Sequence, residues 1–140
     1  MVKPLFLLLK AGRPRQSLKN LSLFTGLIFS GWLFIPAKFW ATVAAFIIFS
    51  ILTGSVYLFN DLLDLESDRK HPFKSKRPLA SGQLAIPLAV FASLTGFFVS
   101  LFLGWALSFF LFLGMIGYLG LQLIYSFWLK KQPIIDVIAI

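Results

Sequence analysis

The chain has 140 residues, of which 59% are hydrophobic, 17% aromatic and only 13% charged, and its mean hydropathy is +0.88. A soluble domain usually has about 45–50% apolar and about 25% charged residues, so this composition excludes a soluble globular domain and a disordered chain. Cysteine is absent, which excludes disulfides and thiolate metal sites. A net charge of +8 suits nucleic acid or anionic lipid, but long apolar blocks between the charges favour a membrane and no nucleic acid.

Four apolar blocks predict membrane-spanning helices, at about residues 21–36, 39–63, 84–103 and 106–129. A last apolar run at 134–140 is too short to cross a bilayer and indicates the start of a fifth span. The sequence therefore predicts one all-α domain over residues 1–140. We expect a polytopic transmembrane helical bundle with about four complete spans, as the front portion of a longer protein.

The positive charges predict the orientation of these spans. Twelve of the thirteen Lys and Arg residues lie in three groups: the N-terminal segment, the loop over residues 64–83, and Lys130 with Lys131. With four spans all three groups share one face, while Lys38 alone lies on the other. Because positive loops stay in the cytoplasm, we expect a multi-pass protein of the inner (plasma) membrane with a cytoplasmic N-terminus and loop 64–83.

Acidic residues crowd the end of the second predicted span. Asn60, Asp64 and Asp68 are spaced by four residues and predict one stripe on a helix that leaves the membrane, with Asp61 beside Asp64. These carboxylates repel one another, and the negative end of the helix dipole adds to that cost unless a cation lies among them. Hard oxygen ligands in the absence of thiolates suit Mg²⁺, so the sequence predicts a magnesium site.

Basic residues follow the acids directly and suit phosphate groups. Lys74 and Arg77 are candidates to neutralise phosphates, and His71 is a candidate phosphate contact. A loop of mixed charge between two spans is more often only solvated and topology-setting. Ionisable residues inside the last turns of a span are costly, however, and favour a functional interpretation.

The stretch from Asn60 to Gly82, with the Ser55-Val-Tyr57 segment before it, resembles the first aspartate-rich motif of the UbiA prenyltransferase superfamily. That resemblance implies a bundle of about nine transmembrane helices, of the only helical type that a bilayer allows. It also implies Mg²⁺ held by two aspartate-rich motifs and bridging a diphosphate leaving group. The implied metal ligands are Asn60, Asp61, Asp64 and Asp68, of which the three aspartates are the implied catalytic residues.

Two further segments resemble one branch, the decaprenyl-phosphate phosphoribosyltransferases. These are Arg13-Pro-Arg-Gln-Ser-Leu-Lys19-Asn20, and Tyr125-Ser126 with Lys130 and Asp136. The branch implies Mg²⁺-dependent transfer of a phosphoribosyl group from phosphoribosyl diphosphate to a polyprenyl phosphate, for cell-wall glycolipid precursors. The residues that the resemblance implies for substrate binding are Arg13, Lys19, Asn20, Tyr57, His71, Lys74, Arg77, Tyr125 and Lys130.

Two alternatives stay open. The same metal motif serves UbiA enzymes that move a prenyl group from prenyl diphosphate to an aromatic acceptor, although the basic opening segment favours a donor with more phosphate. The second aspartate-rich motif, expected after span five, is not among these 140 residues. We therefore expect a missing C-terminal half or an oligomer partner to complete the site, and the alternative is a non-catalytic membrane fragment.

Overall fold

The computed structural model describes residues 4–127, in which all regular secondary structure is helical. In chain order the α-helices are α1 (Pro4–Ala11), α2 (Pro14–Ser17), α3 (Leu23–Phe29), α4 (Pro36–Leu63), α5 (Leu65–Lys70), α6 (Ile86–Leu107) and α7 (Phe109–Phe127). Short 3₁₀ helices lie at Leu18–Ser22, between α2 and α3, and at Lys74–Lys76, after α5.

Three of the described helices, α4, α6 and α7, are long and apolar enough to cross a membrane. Helix α4 packs along α6, and α7 packs against both. Large apolar side chains point outward from the bundle, including Phe98 and Phe110, which are more than 70% exposed and suit contact with lipid. The prediction of an all-α membrane bundle is confirmed, and the bilayer is a partner of this chain.

The first predicted span differs from the structure. Residues 21–36 do not form one spanning helix: α3 has seven residues and follows the 3₁₀ segment Leu18–Ser22. Gly31 adopts a positive φ of 71°, which ends the helix in the way that glycine favours. Ile35 is extended because the next residue is proline, and Pro36 is the first residue of α4 rather than the last of its predecessor. The predicted fifth span at 134–140 lies outside the described residues.

Helices α4 and α6 approach closely because small residues line their contact. A Cβ placed on Gly96 of α6 would lie 1.9 Å from the Ser55 hydroxyl of α4. Further along α6, a Cβ on Gly104 would lie 2.5 Å from the sulfur of Met115 in α7. In a membrane, where lipid is as apolar as leucine, close packing of this kind drives helix association.

The N-terminal segment docks against the end of α4 that carries the acidic residues. Leu7 and Ala11 of α1 are buried with Leu58 of α4 and with Leu79 and Leu84 of the loop before α6. This apolar cluster anchors α1. Arg13, two residues after the end of α1, therefore lies beside the last turns of α4.

Candidate functional site

Two buried carboxylates share one arginine at the end of α4. Asp61 and Asp68 are 4% and 1% exposed. The Arg77 guanidinium donates through Nη1 to Asp61 Oδ1 at 3.1 Å and to Asp68 Oδ2 at 2.5 Å. Charged groups this deeply buried require hydrogen-bonded partners of opposite charge, and the Arg77 guanidinium is such a partner for both carboxylates.

A second arginine reaches the same carboxylate from the N-terminal segment. Arg13 donates through Nη2 to Asp61 Oδ1 at 2.5 Å, and its guanidinium carbon lies 5.0 Å from the centre of the Tyr57 ring. Arg13 holds a left-handed backbone conformation, with φ 53°. A non-glycine residue in that region carries a conformational cost, which these contacts compensate.

Asp68 also has an oxygen that is not hydrogen-bonded. Within the described part of the chain, its Oδ1 atom is buried and has no hydrogen-bond partner. The Lys74 ammonium lies 4.0 Å from that oxygen and is half exposed, so it contributes attraction but no hydrogen bond. The cluster of Arg13, Asp61, Asp68, Lys74 and Arg77 is called the ion-pair cluster below.

Local backbone geometry explains how residues distant in sequence meet there. Asp64 has a non-helical ψ of 6° and separates α4 from α5, so the helix ends at Leu63 and restarts at Leu65. After α5 the chain turns back, and Arg77 is extended, as the residue before a proline usually is. Gly82, with φ 76°, then turns the chain toward α6.

The helix that was predicted to carry Asn60, Asp64 and Asp68 as one stripe is broken at Asp64. Asp61 and Asp68, seven residues or two helical turns apart, are the pair that shares a partner. The Asn60 amide oxygen instead accepts a hydrogen bond from Ser126 of α7 at 3.4 Å. Asp64 is half-buried at the junction between α4 and α5, where its backbone oxygen accepts from the Ser67 hydroxyl at 2.8 Å.

The other predicted site residues are more dispersed. Lys19 is exposed, whereas Asn20 is buried and donates to Ser50 and Thr53 of α4 at 3.1 and 3.2 Å. Asn20 therefore joins the N-terminal segment to α4, a role that its amide fits without a substrate. Tyr125 lies half-buried in the last turns of α7.

His71 is exposed and accepts two backbone hydrogen bonds of its own loop. Lys130 lies outside the described residues.

The sequence pattern predicted no role for three polar residues that the structure brings into contact with predicted ones. Ser50 and Thr53 hold Asn20, and Ser126 donates to Asn60. The available signal was a set of small polar residues inside apolar helices, which in a membrane bundle usually mark interhelical hydrogen bonds.

The oxygen-bearing side chains at this site meet the coordination needs of a divalent cation only in part. Across residues 4–127, no group of three or more acidic or histidine side chains is placed to share a metal ion. Mg²⁺ in proteins is held by one or two carboxylates together with water and substrate phosphate. Asp61 and Asp68 meet that smaller requirement, and among the described residues no hydrogen-bond donor occupies the buried Oδ1 of Asp68, an oxygen of the kind that Mg²⁺ binds.

Comparison with known proteins identifies the family. The UbiA prenyltransferase family matches residues 21–140, which include the whole of the ion-pair cluster except Arg13. The chain belongs to the UbiA prenyltransferase family.

Within the UbiA family, this chain is similar to two named phosphoribosyltransferases. It is 39% identical over 136 residues to the decaprenyl-phosphate phosphoribosyltransferase of Mycolicibacterium smegmatis, a match that covers 93% of this chain and 42% of that protein. Its identity to the protein of the same name from Corynebacterium glutamicum is 34% over 138 residues, covering 93% of this chain and 40% of that one.

A third relative carries a different name. The chain is 32% identical over 117 residues to the digeranylgeranylglyceryl phosphate synthase of Sulfurisphaera tokodaii, with 82% of this chain and 40% of that protein covered. The chain thus spans less than half the length of these curated relatives.

Proposed function

We propose that this chain carries the donor-binding part of a membrane phosphoribosyltransferase. The proposed reaction moves a phosphoribosyl group from phosphoribosyl diphosphate to a polyprenyl phosphate of the decaprenyl type at the cytoplasmic membrane face, for cell-envelope glycolipid precursors. The observation that carries the proposal is the ion-pair cluster, in which Arg77 links Asp61 and Asp68 within the motif that the family resemblance singled out. Similarity to proteins named decaprenyl-phosphate phosphoribosyltransferase supports the choice of substrates.

The charges of the cluster favour an anionic donor. Three cationic groups, from Arg13, Lys74 and Arg77, face two carboxylates, which leaves an excess of positive charge at a partly exposed site. Lys74 is the most exposed of the three cations, at 46%, and is placed to meet an incoming phosphate first. A planar guanidinium such as that of Arg77 binds a phosphate through two parallel hydrogen bonds.

An apolar cavity next to the cluster suits the lipid acceptor. It measures about 690 Å³ and lies between α1, α4 and α6. Gly12 and Pro14, which flank Arg13 in sequence, form part of its lining together with Gly54 and Leu58. A polyprenyl chain in this cavity would hold its phosphate near Arg13.

The proposed chemistry is a substitution at ribose C1. The bond from C1 to the diphosphate oxygen breaks, and diphosphate leaves with the electron pair. An oxygen of the lipid phosphate forms the new bond to C1, and no general base is needed because that phosphate is already anionic. Mg²⁺, held by Asp61 and Asp68 together with Asp64 as the third ligand that the family resemblance implies, would supply charge neutralisation for the leaving diphosphate. Arg77 and Lys74 orient the same group.

A label-transfer assay tests the substrate assignment. Because the chain spans less than half of its relatives, it is expressed in membranes both alone and together with the part of the Mycolicibacterium smegmatis relative that lies outside the match. We expect label from phosphoribosyl diphosphate to enter lipid in the combined sample, to require Mg²⁺, and to fall to background with Asp64→Ala. Membrane insertion of that variant should equal that of the parent chain.

Prenyl transfer is the second candidate, favoured by the match to a digeranylgeranylglyceryl phosphate synthase. The same membranes receive labelled prenyl diphosphate together with an aromatic or a glyceryl phosphate acceptor. Incorporation from this donor and none from phosphoribosyl diphosphate would replace the first proposal. Incorporation from neither donor in the combined sample would favour a non-catalytic membrane fragment.

A further inference from the structure

We propose that His71 is a positioning residue that caps the turn carrying the phosphate-binding side chains Lys74 and Arg77. For catalysis this inference rests on the proposed function, while its structural part stands by itself. It assigns to His71 a role different from the phosphate contact that the sequence suggested.

The contacts of His71 have the geometry of a helix N-cap. Its Nδ1 atom accepts hydrogen bonds from the backbone N–H groups of Phe73 at 3.2 Å and Lys74 at 3.4 Å. Its backbone oxygen accepts from the N–H of Ser75 at 3.1 Å, four residues on. The residue itself is extended, with φ −86° and ψ 132°. An N-cap residue has this non-helical backbone, and its side chain accepts from the second and third N–H groups that follow.

Pro72 completes the cap. It occupies the first position after the cap, where proline is favoured because its missing N–H has no partner to lose there. The consecutive residues His71 and Pro72 therefore start one helical turn that runs into the 3₁₀ segment Lys74–Lys76.

This turn determines where the phosphate-binding cations lie. Lys74 is both a donor to the His71 cap and the residue whose ammonium lies 4.0 Å from Asp68. The N–H of Arg77 donates to the Lys74 carbonyl at 3.0 Å. The end of the turn therefore also fixes the backbone position from which the Arg77 side chain extends. Loss of the cap would release Lys74 first and loosen Arg77 behind it.

The hydrogen bonds also limit what the imidazole can offer a substrate. A ring nitrogen accepts a hydrogen bond only through its lone pair, so in this arrangement Nδ1 carries no proton and the proton lies on Nε2. The Nδ1 atom of His71 therefore acts in this loop as an acceptor and has no proton to donate to a phosphate, which leaves Nε2–H as the donor of the ring. Asparagine shares the acceptor property at a cap, and lysine does not.

Three substitutions separate capping from phosphate contact: His71→Asn, His71→Ala and His71→Lys. The first readout is amide hydrogen exchange of Phe73 and Lys74 in the purified protein in lipid nanodiscs. The second is the KM for phosphoribosyl diphosphate in the combined membranes described above. Arg69→Ala, an exposed site on α5, is the matched control.

We expect His71→Ala and His71→Lys to speed exchange at both amides by about 2- to 30-fold, the range that corresponds to loss of an N-cap. His71→Asn should lie nearer the parent protein than either of them. The donor KM should rise in the same order, with kcat less affected, and Arg69→Ala should change neither readout.

Unchanged exchange at Phe73 and Lys74 in His71→Ala would overturn the proposal. A donor KM that stays low in His71→Lys and rises in His71→Asn would also overturn it, in favour of direct phosphate contact. If no variant and no parent protein transfers phosphoribose, the proposed function fails, and hydrogen exchange still decides whether His71 is the cap.

Discussion

Removing Arg77 should destabilise the protein mainly through Asp68. Arg77→Met keeps an unbranched apolar stem close to that of arginine and removes the guanidinium with its charge. Asp61 would retain its hydrogen bond from Arg13, whereas Asp68 would retain only Lys74, whose ammonium is 4.0 Å away. Asp68 is almost fully buried, so its carboxylate would be left nearly uncompensated.

The expected loss is about 2–3 kcal/mol of unfolding free energy. Breaking a fully buried ion pair by removing one partner costs about 3–5 kcal/mol. Arg77 is 27% exposed, so solvent screens part of the interaction and the expected loss falls below that range, to about 2–3 kcal/mol. The second substitution, Asp68→Asn, removes the orphaned charge. The double variant Arg77→Met with Asp68→Asn should therefore be less destabilised than the sum of the two single variants, by about 1–2 kcal/mol.

The assay is a double-mutant cycle on unfolding of the protein in lipid nanodiscs, with Arg69→Met as an exposed control on α5. The control should change stability by less than about 0.5 kcal/mol. Additivity of the two substitutions within about 0.5 kcal/mol would refute the reasoning, because it would mean that Arg77 does not neutralise Asp68.

Two further predictions concern helix packing. Gly96→Ala places a Cβ 1.9 Å from the Ser55 hydroxyl, so it should lower the free energy of unfolding by about 1–3 kcal/mol in the same assay. The control Gly114→Ala has no atom within 4 Å of the added Cβ and should cost nothing. Equal effects of the two substitutions would refute the close approach of α4 and α6. Asn20→Leu removes two interhelical hydrogen bonds and should cost about 1 kcal/mol in total, which an unchanged stability would contradict.

The apolar composition made the long helices predictable, but single glycine and proline residues determine where those helices begin and end. The blocks predicted at 39–63 and 84–103 correspond to α4 and α6, because about 20 continuous apolar residues have few other stable forms in a membrane protein. The block at 21–36 is equally apolar, yet Gly31 and Pro36 interrupt it. Hydropathy alone is insensitive to such backbone effects, although Pro36 was visible in the sequence.

At the site, the residue types were predictable and their pairing was not. Regular spacing pointed to Asn60 with Asp64 and Asp68, on the assumption that α4 continues without a break. The helix stops at Leu63 and resumes after Asp64. Partners from other segments also decide which acids are held together, and Arg77 reaches Asp68 only after α5 and the 3₁₀ segment Lys74–Lys76.

The chain itself places cations among the acids at the end of α4. Crowded acids at a helix end were expected to need a cation, and the structure provides cations from the chain itself, Arg77 between Asp61 and Asp68 and Arg13 on Asp61. The same guanidinium groups are suited to phosphate. A donor that brings phosphates to this cluster would compete with the carboxylates for the arginines, and the carboxylate oxygens released in that exchange are the ligands that Mg²⁺ prefers. If the proposed function holds, arginine pairing and magnesium binding would be alternative states of one set of carboxylates, related by whether the phosphates of the donor are present.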